Sequence, residues 1–268
     1  MSRCLYHNMK KYFLISIALI LLSGCFSNNR NHDKTSSISS NQEPEKSIAS
    51  SANPLTSSTP TETKIPSQVY LKVNFISQAP LFNWDNLHNE ACEEASILNV
   101  VLYLQKKSMS TKDADQELIK MVDWQMQNFG GHYDLPIEKV NEFIQSYYLN
   151  EGGLASFIKY DISVESIKEE LAKGNPVIVP AAGRNLGNPN FKSPGPVYHM
   201  LVIRGYDDKK GEFITNDVGT RKGDGYRYKY QKLFDTIHDM PEWKQDKSSL
   251  DTNPNLINQG KKAMIIIK

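Results

Sequence analysis

Between residues 91 and 105 the apolar positions Ala91, Ala95, Leu98 and Leu102 recur at helical spacing, and Ile97, Val101 and Leu104 widen the stripe. This period predicts a helix over Cys92–Gln105. Thr111 is a candidate cap for a second helix to about Asn128, with Leu118, Met121, Val122 and Met126 inward and Gly130-Gly131 as its stop. Pro136 suits the start of a third helix, to about Tyr147. Ser163 suits the cap of a fourth, which Gly174 closes. The texture then changes. Pro176–Ala181, Val197–Tyr206, Glu212–Asn216, Arg227–Tyr230 and Ala263–Ile267 read as strands, with turn signals at Asp207–Gly211 and Gly223–Gly225. Val69–Phe75 reads as an entry strand. Helices first and strands later predicts an α+β domain, N-terminal helices on a C-terminal sheet, rather than a βαβ repeat.

The first quarter of the chain has a different pattern. Lys10-Lys11 precedes an apolar run, Tyr12–Leu22, of about eleven residues, where a spanning helix needs roughly twenty. A basic start and a short apolar run predict a secretory signal, and Met9-Lys10-Lys11 alone opens a compact one. The run ends in Leu22-Ser23-Gly24-Cys25, which resembles the bacterial lipobox. That resemblance implies cleavage before Cys25, lipidation of Cys25, and residence on the extracytoplasmic face of the cell membrane, held by buried acyl methylenes. From Phe26 to about Ser67 the chain is rich in Ser, Asn, Thr, Pro and Glu and lacks the apolar content to offset its ordering entropy. It reads as a disordered tether. The expected organisation is therefore a signal over 1–25, a tether over 26–67 and one folded domain over 68–268.

A formal net charge of +1 gives no reason to expect nucleic acid as a partner. Three cysteines are too few for a disulfide framework. With Cys4 and Cys25 in the signal region, Cys92 is the single thiol of the folded part. It is either a small buried hydrophobe or a reactive group. It falls where the first helical pattern begins, and a helix N-terminus favours thiolate. Glu93 and Glu94 oppose this, because their charge raises a neighbouring thiol's pKa. An imidazolium is then needed to hold a thiolate.

Four histidines lie in this part of the chain. His88, among Asn86, Asn89 and Glu90, reads as a solvated loop residue. His132, after two glycines, reads as a surface turn, and His238 reads as exposed. His199 differs: alternation places it on one strand face with Leu201 and Ile203. It is either a core histidine satisfied by backbone or a general base aimed into a cleft. The run Phe213–Asn216 ends at Asp217, which a hairpin would bring beside His199, with Asn216 on the opposite face. A carboxylate there fixes the imidazole tautomer; a simple turn is the other reading. His132 with Asp134 offers two metal ligands and no recognisable spacing, so neither metal nor cofactor is expected. Trp84, Trp124, Tyr198 and Tyr226 are candidates to line a cleft, and Asn185–Gly195 is a candidate cleft loop.

The order Gln78, Cys92, then His199 in Tyr198–Asp207, then Asn216-Asp217, is similar to the family-39 cysteine peptidases and their stand-alone relatives. Asn216–Arg221 followed by Gly223 and Tyr226-Arg227-Tyr228 resembles the stand-alone branch. The resemblance covers about 69–268. It implies a papain-like fold, a Cys92–His199–Asp217 triad and Gln78 as an oxyanion donor. His199 would take the proton of Cys92, the thiolate would attack an acyl carbon, and water would clear the thioester. The expected partner is a peptide or cell-wall peptide. The founding members trim double-glycine leaders and commonly follow the cysteine with glycine and a small residue, whereas this chain has Glu93-Glu94. Three other readings stay open: a catalytically silent binding module, a cell-wall amidase, and an acyltransferase using the same residues.

Overall fold

The computed structural model describes residues 65–149, 154–241, 250 and 252–268. The signal, Cys25 and nearly all of the expected tether lie outside the described residues. Among the described residues, no helix is long and apolar enough to cross a membrane.

After a short entry strand, helices precede most of the sheet. A short helix α1 spans Asn86–Asn89, followed by α2 (Cys92–Leu104), α3 (Thr111–Asn128) and α4 (Ile137–Tyr147). The cap of α3 is Ser110, not Thr111; its hydroxyl accepts from Asp113 N at 3.1 Å, a contact worth about 1 kcal/mol. Pro136 is the N-cap of α4. Later come α5 (Val164–Ala172), α6 (Gly183–Leu186) and α7 (Tyr230–Thr236). Ser163 caps α5 in a reciprocal capping box with Ser166.

Seven strands form one antiparallel sheet: β1 (Gln68–Tyr70), β2 (Ser156–Tyr160), β3 (Val177–Ala182), β4 (Tyr198–Asp207), β5 (Glu212–Asn216), β6 (Asp224–Lys229) and β7 (Ala263–Ile267). Their order is β2-β7-β3-β4-β5-β6, with β1 also paired to β4. Two departures from the sequence reading stand out. The pattern missed β2, in which Phe157 is 52 % exposed and alternation is blurred. It also extended a strand to Tyr230, where the chain turns into α7.

Strand β4 is buried along its whole length, pairing with β3 through Tyr198–Ile203 and with β5 through Val202–Asp207. Its alternation separates two cores. Tyr198, Met200 and Val202 join the core under α2, α3 and α4. Leu201 and Ile203 join the core with residues of α5 and α7. Helix α2 is buried from Cys92 to Leu102, so its polar residues need partners. Ser96 donates to Met200 O at 3.2 Å. Asn99 donates to Ile76 O at 2.9 Å and accepts from Asn216 Nδ2 at 2.8 Å. These bonds clamp the start of α2 against β4 and β5. The result is an α+β, papain-like fold in which α2 brings its N-terminus to the sheet.

Candidate active site

Cys92 is the first residue of α2, where backbone N–H groups have no intrahelical acceptor. Its side chain is buried but borders a cleft of about 640 Å³, whose lining also includes Gln78, Trp84, Asp134, Phe191 and His199.

His199 reaches this cleft from β4. Its Nε2 lies 2.9 Å from Asp217 Oδ1, so Nδ1 is the nitrogen left for a thiol. The Phe191 ring stands edge-on to the imidazole at 5.4 Å. A Cβ at Gly219 would come 2.8 Å from His199 Cε1 and 3.1 Å from Phe191 Cε1, so glycine is required for this close approach.

Asp217 follows β5 and is fully buried, while Asn216 points the other way, to Asn99 on α2. Every contact of the Asp217 carboxylate is with a donor. Besides His199, Oδ1 faces Gly219 N at 3.4 Å, and Oδ2 accepts from Tyr228 O–H at 2.6 Å and Asn188 Nδ2 at 2.8 Å. Burial alone would raise its pKa. The hydrogen bond and charge of His199, with Tyr228 and Asn188, hold it below its ordinary value. Asn188 and Tyr228 were not assigned roles by sequence reasoning. Asn188 lies inside the expected cleft loop, but nothing in that loop's pattern singles out one asparagine.

The thiol side differs from a simple Cys–His pair. The hydrogen bond of Cys92 Sγ goes to Glu93 Oε2 at 3.1 Å, while Glu93 Oε1 accepts from Leu135 N at 2.8 Å. Burial pushes the Cys92 thiol well up, and the charges of Glu93 and Asp134 push it further. Burial likewise pushes Glu93 up, helped by Asp134 and Glu94. The resting group is therefore a protonated thiol beside a buried carboxyl. Cys92 Sγ and the carboxylates of Glu93 and Asp134 lie within 4.8 Å of one another. A soft cation there would meet a thiol and a Glu93 carboxyl whose charged forms burial disfavours.

Gln78 lines the same cleft as Cys92, yet its amide is engaged. Nε2 donates to His88 O at 2.8 Å and to Asn89 O at 3.1 Å, pinning the turn before Cys92. An oxyanion would have to recruit one of these protons.

The other histidines are not solvated. His88 is 3 % exposed, its Nδ1 2.8 Å from Asp85 Oδ1. Asp115 Oδ1 lies 3.1 Å from Nε2, off the line of its N–H. His88 thus ties α1 to α3. His132 is no surface turn: its Nε2 lies 3.4 Å from the buried Glu94, which also accepts from Gln125. Burial pulls the His132 ring down, but the nearby carboxylate of Glu94, with Glu90, outweighs it and raises the pKa. His238 is half-buried, its Nδ1 2.9 Å from Gly260 O. Of the four aromatic candidates, Trp84 and Tyr198 line the cleft. Trp124 stacks on Phe143 in the helical core, and Tyr226 packs beside Tyr228. From the expected loop, Asn190, Phe191 and Lys192 line the cleft.

The thiol's environment gives a pH-dependent expectation. Glu93→Gln removes an acid that competes with Cys92 for negative charge, yet keeps an oxygen for Leu135 N–H. The thiol's titration should move to lower pH. The check is the alkylation rate of Cys92 against pH, followed on the Cys92 peptide by mass spectrometry. A titration unmoved or shifted upward would contradict this account of the thiol.

Residues 70–250 match the family model described as the Peptidase_C39 like family. No curated protein matches the chain. Three solved structures are similar to the chain at low identity and low TM-score. A C39-like peptidase from Bacillus anthracis is 16% identical with a TM-score of 0.44, over 75% of this chain and 98% of that one. Xylellain, a cysteine protease from Xylella fastidiosa, is 13% identical with a TM-score of 0.45, over 76% and 87%. A prointerpain A fragment from Prevotella intermedia is 12% identical with a TM-score of 0.43, over 77% and 74%. The family match spans most of the described chain, including all of α2, β4 and β5 with Cys92, His199 and Asp217, and on that match the chain belongs to the C39-like peptidase family.

Proposed function

We propose that the protein is a thiol hydrolase of peptide bonds, held on the extracytoplasmic face of a bacterial membrane by a lipid on Cys25. The observation that carries the hydrolase reading is the buried His199–Asp217 pair, whose His199 lines the cleft together with Cys92. A carboxylate held by four donors serves to fix an imidazole tautomer, and a fixed tautomer serves proton transfer. In this reading a rotation about Cα–Cβ moves the Cys92 proton from Glu93 towards His199 Nδ1. His199 takes it as Sγ attacks the acyl carbon, and the Cys92 N–H binds the developing oxyanion. One such donor is worth about 3 kcal/mol in the transition state. His199 then protonates the leaving amine, and water releases the acyl group from sulfur.

A second reading, a catalytically silent papain-like binding module, is favoured by one feature. The thiol and the Gln78 amide are both bonded to the protein itself rather than poised for substrate. Incubating the full chain with a mixture of peptides and sequencing the products separates the two. New termini with a common local sequence support the hydrolase, and an unchanged mixture favours the binding module.

The anchor has its own test. Cys25→Ser should move the protein from the detergent phase to the aqueous phase of a membrane extract, because lost acyl chains forfeit about 0.8 kcal/mol per buried methylene. Retention of the variant in the detergent phase would contradict the lipid.

A further inference from the structure

The two walls of the catalytic cleft carry opposite charge. The helical wall bears Glu90, just before α2, and Asp134, just before α4. The sheet wall bears Lys192, between α6 and β4, and Arg221, between β5 and β6. Phe191 joins the two cationic loops. It is edge-on to His199 at 5.4 Å, and its ring lies against Gly219. Lys192 and Arg221 therefore flank the imidazole from adjacent loops. Both are exposed, and neither has a carboxylate partner among the described residues.

Arg221 is also held in place. Its guanidinium carbon sits 4.9 Å from the centroid of the Phe82 ring. Phe82 is 60 % exposed and has φ of 65°, a left-handed conformation costly for a bulky residue. Trp84, two residues on, lines the cleft and is also exposed. An exposed aromatic in a strained conformation contributes little to folding. Here it supports a cation at the mouth of the cleft.

The chemistry orients a substrate between these walls. His199 must protonate the leaving amine, so the residues after the scissile bond lie against the loops that flank His199. Those loops carry Lys192 and Arg221. The acyl side lies nearer Cys92 and the acidic wall.

We propose that the cleft selects peptides with a carboxylate on the leaving side of the scissile bond, bound by Arg221 and Lys192. The carboxylate is an acidic side chain or the peptide's own C-terminus. This inference rests on the hydrolase reading for its orientation, but the charge selection is measurable without turnover.

Two experiments decide it, each comparing the full chain with its Lys192→Ala/Arg221→Ala variant. In the first, matched peptide mixtures with Glu or Ala after the cut, and with free or amidated C-termini, are digested. The expected preference for the carboxylate-bearing member is about tenfold, falling to near parity in the variant and weakening with added salt. A preference that follows the free C-terminus rather than Glu assigns the carboxylate to the chain end, and the converse assigns it to the side chain. In the second, Cys92 is alkylated with iodoacetate and with iodoacetamide. The ratio of the two rates should fall about threefold or more in the variant, because only iodoacetate carries the charge. Equal ratios in both proteins, or no preference among digested peptides, would overturn the proposal. Undigested peptides with a fallen alkylation ratio would instead sink the hydrolase reading and leave the charge selection standing.

Discussion

The Cys92→Ala variant is expected to leave a peptide mixture uncut, with a loss of at least about 10⁴-fold, and to fold normally. Among the described residues lining the cleft, Cys92 carries the one thiol, and its neighbours are the carboxyls of Glu93 and Asp134 and an imidazole already bonded to Asp217. The structural cost is small. Alanine keeps the Cβ and removes one buried atom, a change of about 1 kcal/mol. It also removes a donor to Glu93, whose carboxyl keeps the Leu135 N–H bond. Thermal unfolding should thus stay within a few degrees of the native protein. Substantial cutting by the variant would show that another group carries the chemistry.

Asp217→Asn should lower turnover by about 10³- to 10⁴-fold with little change in peptide binding. Asp217 accepts from His199, Tyr228, Asn188 and Gly219 and donates to none of them. An asparagine must turn its amide nitrogen towards one side. If it faces His199, Nε2 loses its acceptor and the proton can move to Nδ1, the nitrogen needed as base. If it faces Tyr228 and Asn188, two donors meet a third in a buried site. The first arrangement damages the proton path, the second costs stability, and both remove the negative charge that stabilises the imidazolium. Steady-state kinetics on a cut peptide check this: kcat should fall while KM moves little. A kcat within tenfold of the native protein would mean that the carboxylate has no part in catalysis.

The central features of this site were legible because each leaves a local mark. Cys92 opens a run of apolar residues at helical spacing. His199 is the one polar ring in an otherwise apolar alternation, and Asp217 closes the next strand. The parts that escaped are set by distant partners. His88 reads as solvated beside Asn86 and Asn89, yet Asp115 on α3 buries it. His132 follows two glycines like a turn residue, and only its approach to Glu94 shows otherwise. Glu93 suits the exposed first turn of a helix, but here that turn is covered, and Leu135 N–H satisfies the carboxyl from 42 positions away. Period alone also fails where an edge strand is half exposed, as at Phe157, and where a strand runs into a helix without a breaker, as at Lys229-Tyr230.

In the proposed mechanism His199 acts on Cys92 although the resting thiol is bonded to Glu93. The most direct test is the alkylation rate of Cys92 across pH 5 to 11 (roughly from below the imidazole range to above the thiol range), in the native chain and in His199→Ala. The native rate should stay above the variant's by about tenfold or more near neutral pH, where imidazole can take the thiol proton, with the curves merging once the thiol ionises unaided. Superimposable curves throughout would contradict it.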